Sequence, residues 1–172
     1  IEIGLKLPTG ETNKRVDRRL PIQRQRRLQP GSGSTDFIFD LIYQEGRRRF
    51  VYGGDVSYRL NTEGDTRYQF GDEVRLNLDF EYILLPWVYK KPGHELFTLL
   101  EATFVHKEVD QSRDRAISAT RRTELLLAPG LQYIATEQLL FSVSVQFPVF
   151  ADVKGRGLER DYNVLAEFRF AF

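Results

Sequence analysis

Hydrophobic and polar residues alternate along most of this chain with a period of two. At the C-terminus Tyr162, Val164, Ala166, Phe168, Phe170 and Phe172 fall on one face, with Asn163, Leu165, Glu167, Arg169 and Ala171 on the other. Successive side chains of a strand point to opposite faces, so this segment predicts a strand with one apolar and one polar side. Seven more segments behave alike. Ile1–Leu7 sets Ile1, Ile3, Leu5 and Leu7 against Glu2 and Lys6; Asp36–Tyr43 sets Phe37, Phe39, Leu41 and Tyr43 against Asp36 and Asp40. Arg49–Leu60 sets Phe50, Tyr52, Val56, Tyr58 and Leu60 against Arg49, Asp55 and Arg59; Val74–Tyr82 sets Val74, Leu76, Leu78, Phe80 and Tyr82 against Arg75, Asp79 and Glu81. Leu96–Phe104 carries Glu101 on its polar side, Arg122–Tyr133 carries Arg122 and Glu124, and Leu139–Phe147 opposes Phe141, Val143, Val145 and Phe147 to Ser142, Ser144 and Gln146.

The charges sort by face. Within these eight segments the apolar face holds no Asp, Glu, Lys or Arg. The polar face holds nine acids (Glu2, Asp36, Asp40, Asp55, Asp79, Glu81, Glu101, Glu124, Glu167) and six bases (Lys6, Arg49, Arg59, Arg75, Arg122, Arg169). Of the 22 aromatics, 16 lie on the apolar face. A soluble barrel would crowd those rings into an interior wide enough for only a modest set of side chains. A membrane barrel turns them to lipid and encloses the charges, which a mixed-sign lumen lets pair with one another. The pattern therefore predicts an all-β, antiparallel, up-and-down transmembrane β-barrel with eight strands in this chain, a single domain spanning residues 1–172.

The connections alternate in length, as in bacterial outer-membrane barrels with short periplasmic turns and long external loops. Long or medium links (Pro8–Thr35, Asn61–Asp72, Glu108–Ala119, Ala151–Arg160) take turns with Glu45–Arg48, Leu85–Glu95 and Thr136–Gln138. Leu85–Glu95 is long for a periplasmic turn, and its Trp87 and Tyr89 are expected to anchor at the membrane interface. Pro129 falls inside a predicted strand, where proline removes a ladder donor; a bulge at Pro129-Gly130 is the expected accommodation. Ile1 stands in mid-strand, so the chain reads as a processed, trimmed or partial product.

Composition changes little but excludes much. With no Cys and two His (His94, His106), a disulfide scaffold, a thiolate or multi-histidine metal centre and a cysteine nucleophile are excluded. The net charge of +1 argues against a general nucleic-acid binder. The longest apolar run, Tyr82–Tyr89, is interrupted by Pro86 and far short of a membrane helix. Gly31 and Gly33 do not complete a dinucleotide fingerprint, and there is no P-loop. No cofactor is expected. The one strongly charged stretch is the predicted first external loop, where Lys14, Arg15, Arg18, Arg19, Arg24, Arg26 and Arg27 stand against Glu11 and Asp17. Such a loop suits lipopolysaccharide phosphates, an anionic solute at a pore mouth, or plain solvation.

Gly4-Leu-Lys-Leu-Pro-Thr-Gly10, Gln29-Pro-Gly-Ser-Gly-Ser-Thr-Asp36, Ala128-Pro-Gly-Leu-Gln-Tyr133 and Val145-Gln-Phe-Pro148 resemble landmarks of the phenol-degradation MetA-pathway family of Gram-negative outer-membrane proteins. The resemblance runs over essentially the whole chain and implies a transporter-like outer-membrane barrel without catalytic residues. The terminal Phe168, Phe170 and Phe172 resemble the signal read by the outer-membrane assembly machinery. In that family the glycine-leucine-lysine-leucine-proline stretch follows earlier strands. The resemblance thus leaves two alternatives: a closed eight-strand barrel, or the C-terminal part of a barrel of about 12 strands.

The expected function is passive passage of small solutes across the outer membrane, with the fifteen polar-face charges lining the lumen. The alternative is a non-conducting structural or adhesion barrel that binds lipopolysaccharide or a partner protein through its basic loop. In that reading Asp40, Asp55, Asp79 and Glu81 pair with the arginines and block the lumen. A lipid A-modifying enzyme using His106 with Ser112 or Ser118 ranks third, for want of an orienting partner. Expected partners are outer-membrane lipids, the assembly machinery and a small solute.

Overall fold

The computed structural model describes residues 1–12, 29–88, 93–154 and 161–171. Eleven strands follow in order: β1 (Glu2–Lys6), β2 (Asp36–Arg47), β3 (Phe50–Leu60), β4 (Tyr68–Gln69), β5 (Glu73–Leu85), β6 (Glu95–Lys107), β7 (Asp110–Ser112), β8 (Arg115–Ile117), β9 (Arg122–Thr136), β10 (Leu139–Val153) and β11 (Asn163–Phe170). A single 3-10 turn, Ser118–Thr120, precedes β9. All eight segments with period-two alternation form strands of one sheet, ordered β1-β2-β3-β5-β6-β9-β10-β11. Every neighbouring pair is antiparallel. The sheet is thus a meander in which each strand pairs with the next long one in sequence, the arrangement that short connections favour.

The sheet is open. Among the described residues β1 and β11 form its two edges and do not pair with each other, so closure of the eight strands alone, one of the two alternatives, is not formed.

The six inner strands span 11 to 15 residues, longer than the alternating cores read from sequence. About 9–11 tilted residues suffice to cross the hydrocarbon of a bilayer. The link between β2 and β3 is the two residues Arg48 and Arg49, because Arg47 pairs with Phe50. Between β9 and β10 only Glu137 and Gln138 intervene. The β5–β6 link, residues 86–94, is the long exception at this end; the other long links lie at the opposite end, and two of them contribute a small sheet, β4-β7-β8, absent from the sequence expectation.

One face of the large sheet is apolar and uncovered. Ile3, Phe39, Leu41, Val56, Leu78, Phe80, Leu100, Leu131, Phe141, Val143 and Phe168 are all exposed, Ile3 at 75%. The opposite face buries Phe97, Val105, Leu126 and Ala128 beside the carboxylates of Asp36, Glu95 and Glu124. The uncharged character of the apolar face holds for the strand centres only. Glu45 and Arg47 extend it at the turn end, and Asp152 at the loop end. Tyr43 and Tyr52 both donate their hydroxyls to Glu45.

Pro129 requires no bulge. It pairs with Leu100 in an unbroken register, and the assigned β9–β10 pairs merely skip Ala128 and Pro129 before resuming in step. The missing donor thus costs a ladder bond rather than a shift. The bulge lies across the way in β10, where Pro148 pairs with Leu126 but Phe150 with Leu125, leaving Val149 as the extra residue.

Candidate functional site

Cross-strand partners share a face, so the register shows where the predicted site residues go. Glu2 pairs with Asp40 and Lys6 with Asp36. Arg59 pairs with Glu73 and Asp55 with Asn77. Asp79 pairs with Glu101, Lys107 with Arg122, and Arg169 with Leu140. Fourteen of the fifteen charged positions therefore occupy the polar face, including Arg75, Glu81, Glu124 and Glu167. Arg49 does not. It lies in the β2–β3 turn, and its guanidinium donates to the carbonyls of Ile83, Leu84, Pro86 and Trp87. The guanidinium also sits 4.9 Å from the Trp87 ring centre and 5.6 Å from that of Tyr82. A five-donor fork suits such a cluster of carbonyls, and Arg49 here holds the turn rather than facing the polar side. Trp87 itself is exposed at 78%; Tyr89 lies outside the described residues. So do the seven basic loop residues Lys14 to Arg27, and Phe172.

The charges are segregated along the strands. At the loop end four cations are paired: Lys6 with Asp36 at 2.5 Å, Arg75 with Glu73 at 3.1 Å, Lys107 with Asp110 at 2.8 Å, and Arg122 with Glu124. Asp36 and Glu124 are each about 1% exposed, and the ion pair offsets part of the cost of burying each side chain. The Thr62 N–H also donates to Asp36. Two cavities open here. One, of about 210 Å³, is lined by Arg75, Lys107, Arg122, Thr103 and Gln146 over an apolar floor of Val105 and Leu126. The other, of about 200 Å³, is bordered by Lys6, Ser32, Arg59, Asn61 and Phe70; Glu73 and Lys107 line both. Together they form a polar basin at the loop end. Within it the Arg122 Nε–H is buried without an acceptor.

Towards the sheet centre the cations give out: Asp55, Asp79, Glu81 and Glu101 form no ion pair with a described residue, nor do Glu2 and Asp40 on the register row of Arg75 and Glu124, and two pairs, Glu2–Asp40 and Asp79–Glu101, stand directly opposite in register. Asp55 accepts from the Asn77 amide at 2.9 Å. On the polar face the ion pairs among the described residues gather at the loop end, apart from Glu167–Arg169 on β11, and the central acids take no part in one. Like charges across a ladder destabilise a sheet unless water solvates them, so the belt fits a wet face rather than a packed one. Glu167 and Arg169 pair with each other at 2.8 Å on the exposed edge strand β11, away from the basin.

Sequence reasoning missed Lys107, Glu73 and Asp110. The first two needed only the alternation to be carried one or two residues further, since Lys107 continues the Glu101–Thr103–Val105 side and Glu73 the Arg75 side. Asp110 had no such signal. It is fully buried in the small sheet, accepting from the Tyr68 hydroxyl at 2.6 Å and the Gly71 N–H at 2.9 Å, while its own N–H donates to Thr120. Burial pushes its carboxyl up, but the hydrogen bonds from Lys107, Tyr68 and Gly71 outweigh that and hold it below the ordinary value of 3.8. Lys107 is shared, its ammonium 5.1 Å from the Phe70 ring centre. His106, set aside in sequence as a weak catalytic candidate, bonds through Nδ1 to the Thr123 hydroxyl at 2.8 Å; Ser112 lies in β7 and Ser118 in the 3-10 turn.

The quoted family landmarks implied an up-and-down barrel; the structure gives its all-β antiparallel meander without closure. Residues 1–159 match the family described as "Putative MetA-pathway of phenol degradation". The chain belongs to this family. No curated protein and no solved structure matches it. The family description ties the chain to phenol degradation and leaves its molecular activity open.

Proposed function

We propose that this chain forms the wall of an outer-membrane β-barrel through which small solutes pass passively, its polar face lining the lumen. The observation that carries the reading is the division of one sheet into an exposed apolar face and an opposite face that gathers the charges. In water such an apolar face is far larger than monomers tolerate; in lipid it is the expected outer surface. Lipid also forbids unpaired strand edges, so in the membrane β1 and β11 meet each other or further strands. The family description makes phenolic compounds and related small organics the first solutes to try.

The acidic belt supports a water-filled lumen over a plugged one. A non-conducting barrel was expected to pair Asp40, Asp55, Asp79 and Glu81 with arginines, and these pairs are absent among the described residues. Catalysis forms no part of the proposal.

The test is to refold the chain, or purify the full-length protein, and add it to planar bilayers. We expect folded, heat-modifiable protein that gives discrete conductance steps, with faster phenol uptake into loaded vesicles. Heat-modifiable protein without conductance would leave a structural barrel; protein that does not enter vesicles would remove the membrane reading altogether.

A further inference from the structure

On the lipid-facing side, at the loop end, the bulge in β10 has a consequence for recognition. Before it, odd-numbered residues of β10 (Phe141, Val143, Val145, Phe147) are on the apolar face. After the extra residue Val149 the parity switches: Phe150 pairs with Leu125 and Asp152 with Thr123, both outward positions. Lys154 follows outward, and its N–H donates to the Arg121 carbonyl at 3.1 Å, fixing the two residues side by side. Without the bulge, Asp152 and Lys154 would point into the lumen.

The result is a cationic pair standing on an apolar wall. Arg121 and Lys154 share one carboxylate, Asp152, at 3.5 and 3.1 Å, which orients both and leaves one net positive charge. They border a cleft of about 470 Å³ with Val109, Ala119 and the hydroxyl-bearing Ser118. One step towards the sheet centre come Leu125 and the exposed Phe150. A planar guanidinium and an ammonium beside a hydroxyl match a phosphate monoester or diester, and the adjoining apolar surface matches acyl chains.

We infer that Arg121, Lys154 and Ser118 bind the phosphate of a membrane lipid in the leaflet at the loop end, with its acyl chains along Leu125 and Phe150. This rests on the barrel reading, since it needs the apolar face to meet lipid. Charge complementarity and continuity with the apolar face favour a lipid over a free anion.

The test uses the protein folded in detergent micelles, with lipid A as probe, followed by native mass spectrometry. We expect wild-type protein to retain lipid A, and Arg121→Gln/Lys154→Gln to lose about tenfold or more in apparent affinity. The swapped variant Arg121→Lys/Lys154→Arg should keep most of it. Enzymatically dephosphorylated lipid A should bind wild-type protein as weakly as native lipid A binds the Gln variant. Equal retention by the Gln variant overturns the site. Displacement of lipid A by inorganic phosphate at low millimolar concentration overturns the lipid assignment in favour of a free-anion site. Conductance and heat-modifiable migration, measured on the same samples, report separately on the barrel reading: if the wild-type chain passes both and the lipid result fails, the lipid proposal alone falls.

Discussion

Asp110 is the residue on which the loop end hangs. Its carboxylate gathers Lys107, Tyr68 and the Gly71 N–H in one buried site. Its folded value lies below the ordinary 3.8, so its contribution to stability is fully present above that value and is lost as pH falls through the depressed one. Asp110→Asn keeps the shape but leaves Lys107 without its counter-charge, for an expected loss of about 3 kcal/mol. Urea unfolding of wild type and variant between pH 6 and pH 3 checks this, the variant being expected to show the shallower decline on acidification; parallel declines would remove Asp110 from the account. Nothing in the sequence marks this residue, because its partners come from segments up to 42 residues away and none follows a periodic pattern. Glu124 shows the contrary case. Its place opposite the apolar stripe was legible, because alternation alone assigns a strand residue to a face. Arg49 sits between the two: the parity of its strand pointed it to the polar face, but as a turn residue it was free to swing onto the carbonyls of 83–87.

For the eight strands of the large sheet, order and faces were legible; the three short strands of the loop-end sheet and the irregularities were not. Pro129 drew attention as the disruptive residue, yet the register beside β6 runs straight through it, while the bulge falls in the neighbouring strand beside Pro148. A proline announces a missing donor, but which of two paired strands absorbs an extra residue depends on the cross-strand fit. The register gives a direct check. In the cysteine-free chain, Thr123→Cys/Asp152→Cys places two thiols in a cross-strand pair at a spacing a disulfide can bridge. Thr123→Cys/Ala151→Cys would do so only if β10 ran without its bulge. Oxidation followed by peptide mapping should cross-link the first pair and leave the second free; the reverse result would move the bulge and turn Lys154 inward.

Over the whole molecule, the separation of paired charges at the loop end from uncompensated acids at the centre gives the proposed lumen a polarity. A solute entering from the loop side would meet a nearly neutral, hydrogen-bonding basin and then a negative belt. Clefts lined by one sign concentrate ions of the other. We therefore expect a preference for small cations over anions, reduced severalfold in Asp79→Asn/Glu101→Gln. Reversal potentials in a salt gradient measure it, and an unchanged ratio would place the belt outside the conducting path. The same pair of substitutions relieves a like-charge cross-strand contact, so folding efficiency should hold or improve.

The β4-β7-β8 sheet joins two loops that are separate in sequence, since Tyr68 pairs with Ser112 and Gln69 with Gln111. Asn61, Gly71 and Asp72 are bound to one another in the first loop, and Asp110 bridges to it from the second. Insertions and deletions there cannot be independent: a change of length between Leu60 and Glu73 would strip the Asp110 carboxylate of its donors Tyr68 and Gly71 unless the segment after Lys107 changed with it. For anyone grafting an epitope or drifting this sequence in the laboratory, these two loops are a single unit of variation, and the two-residue connection at Glu137 and Gln138 is the freer place to begin.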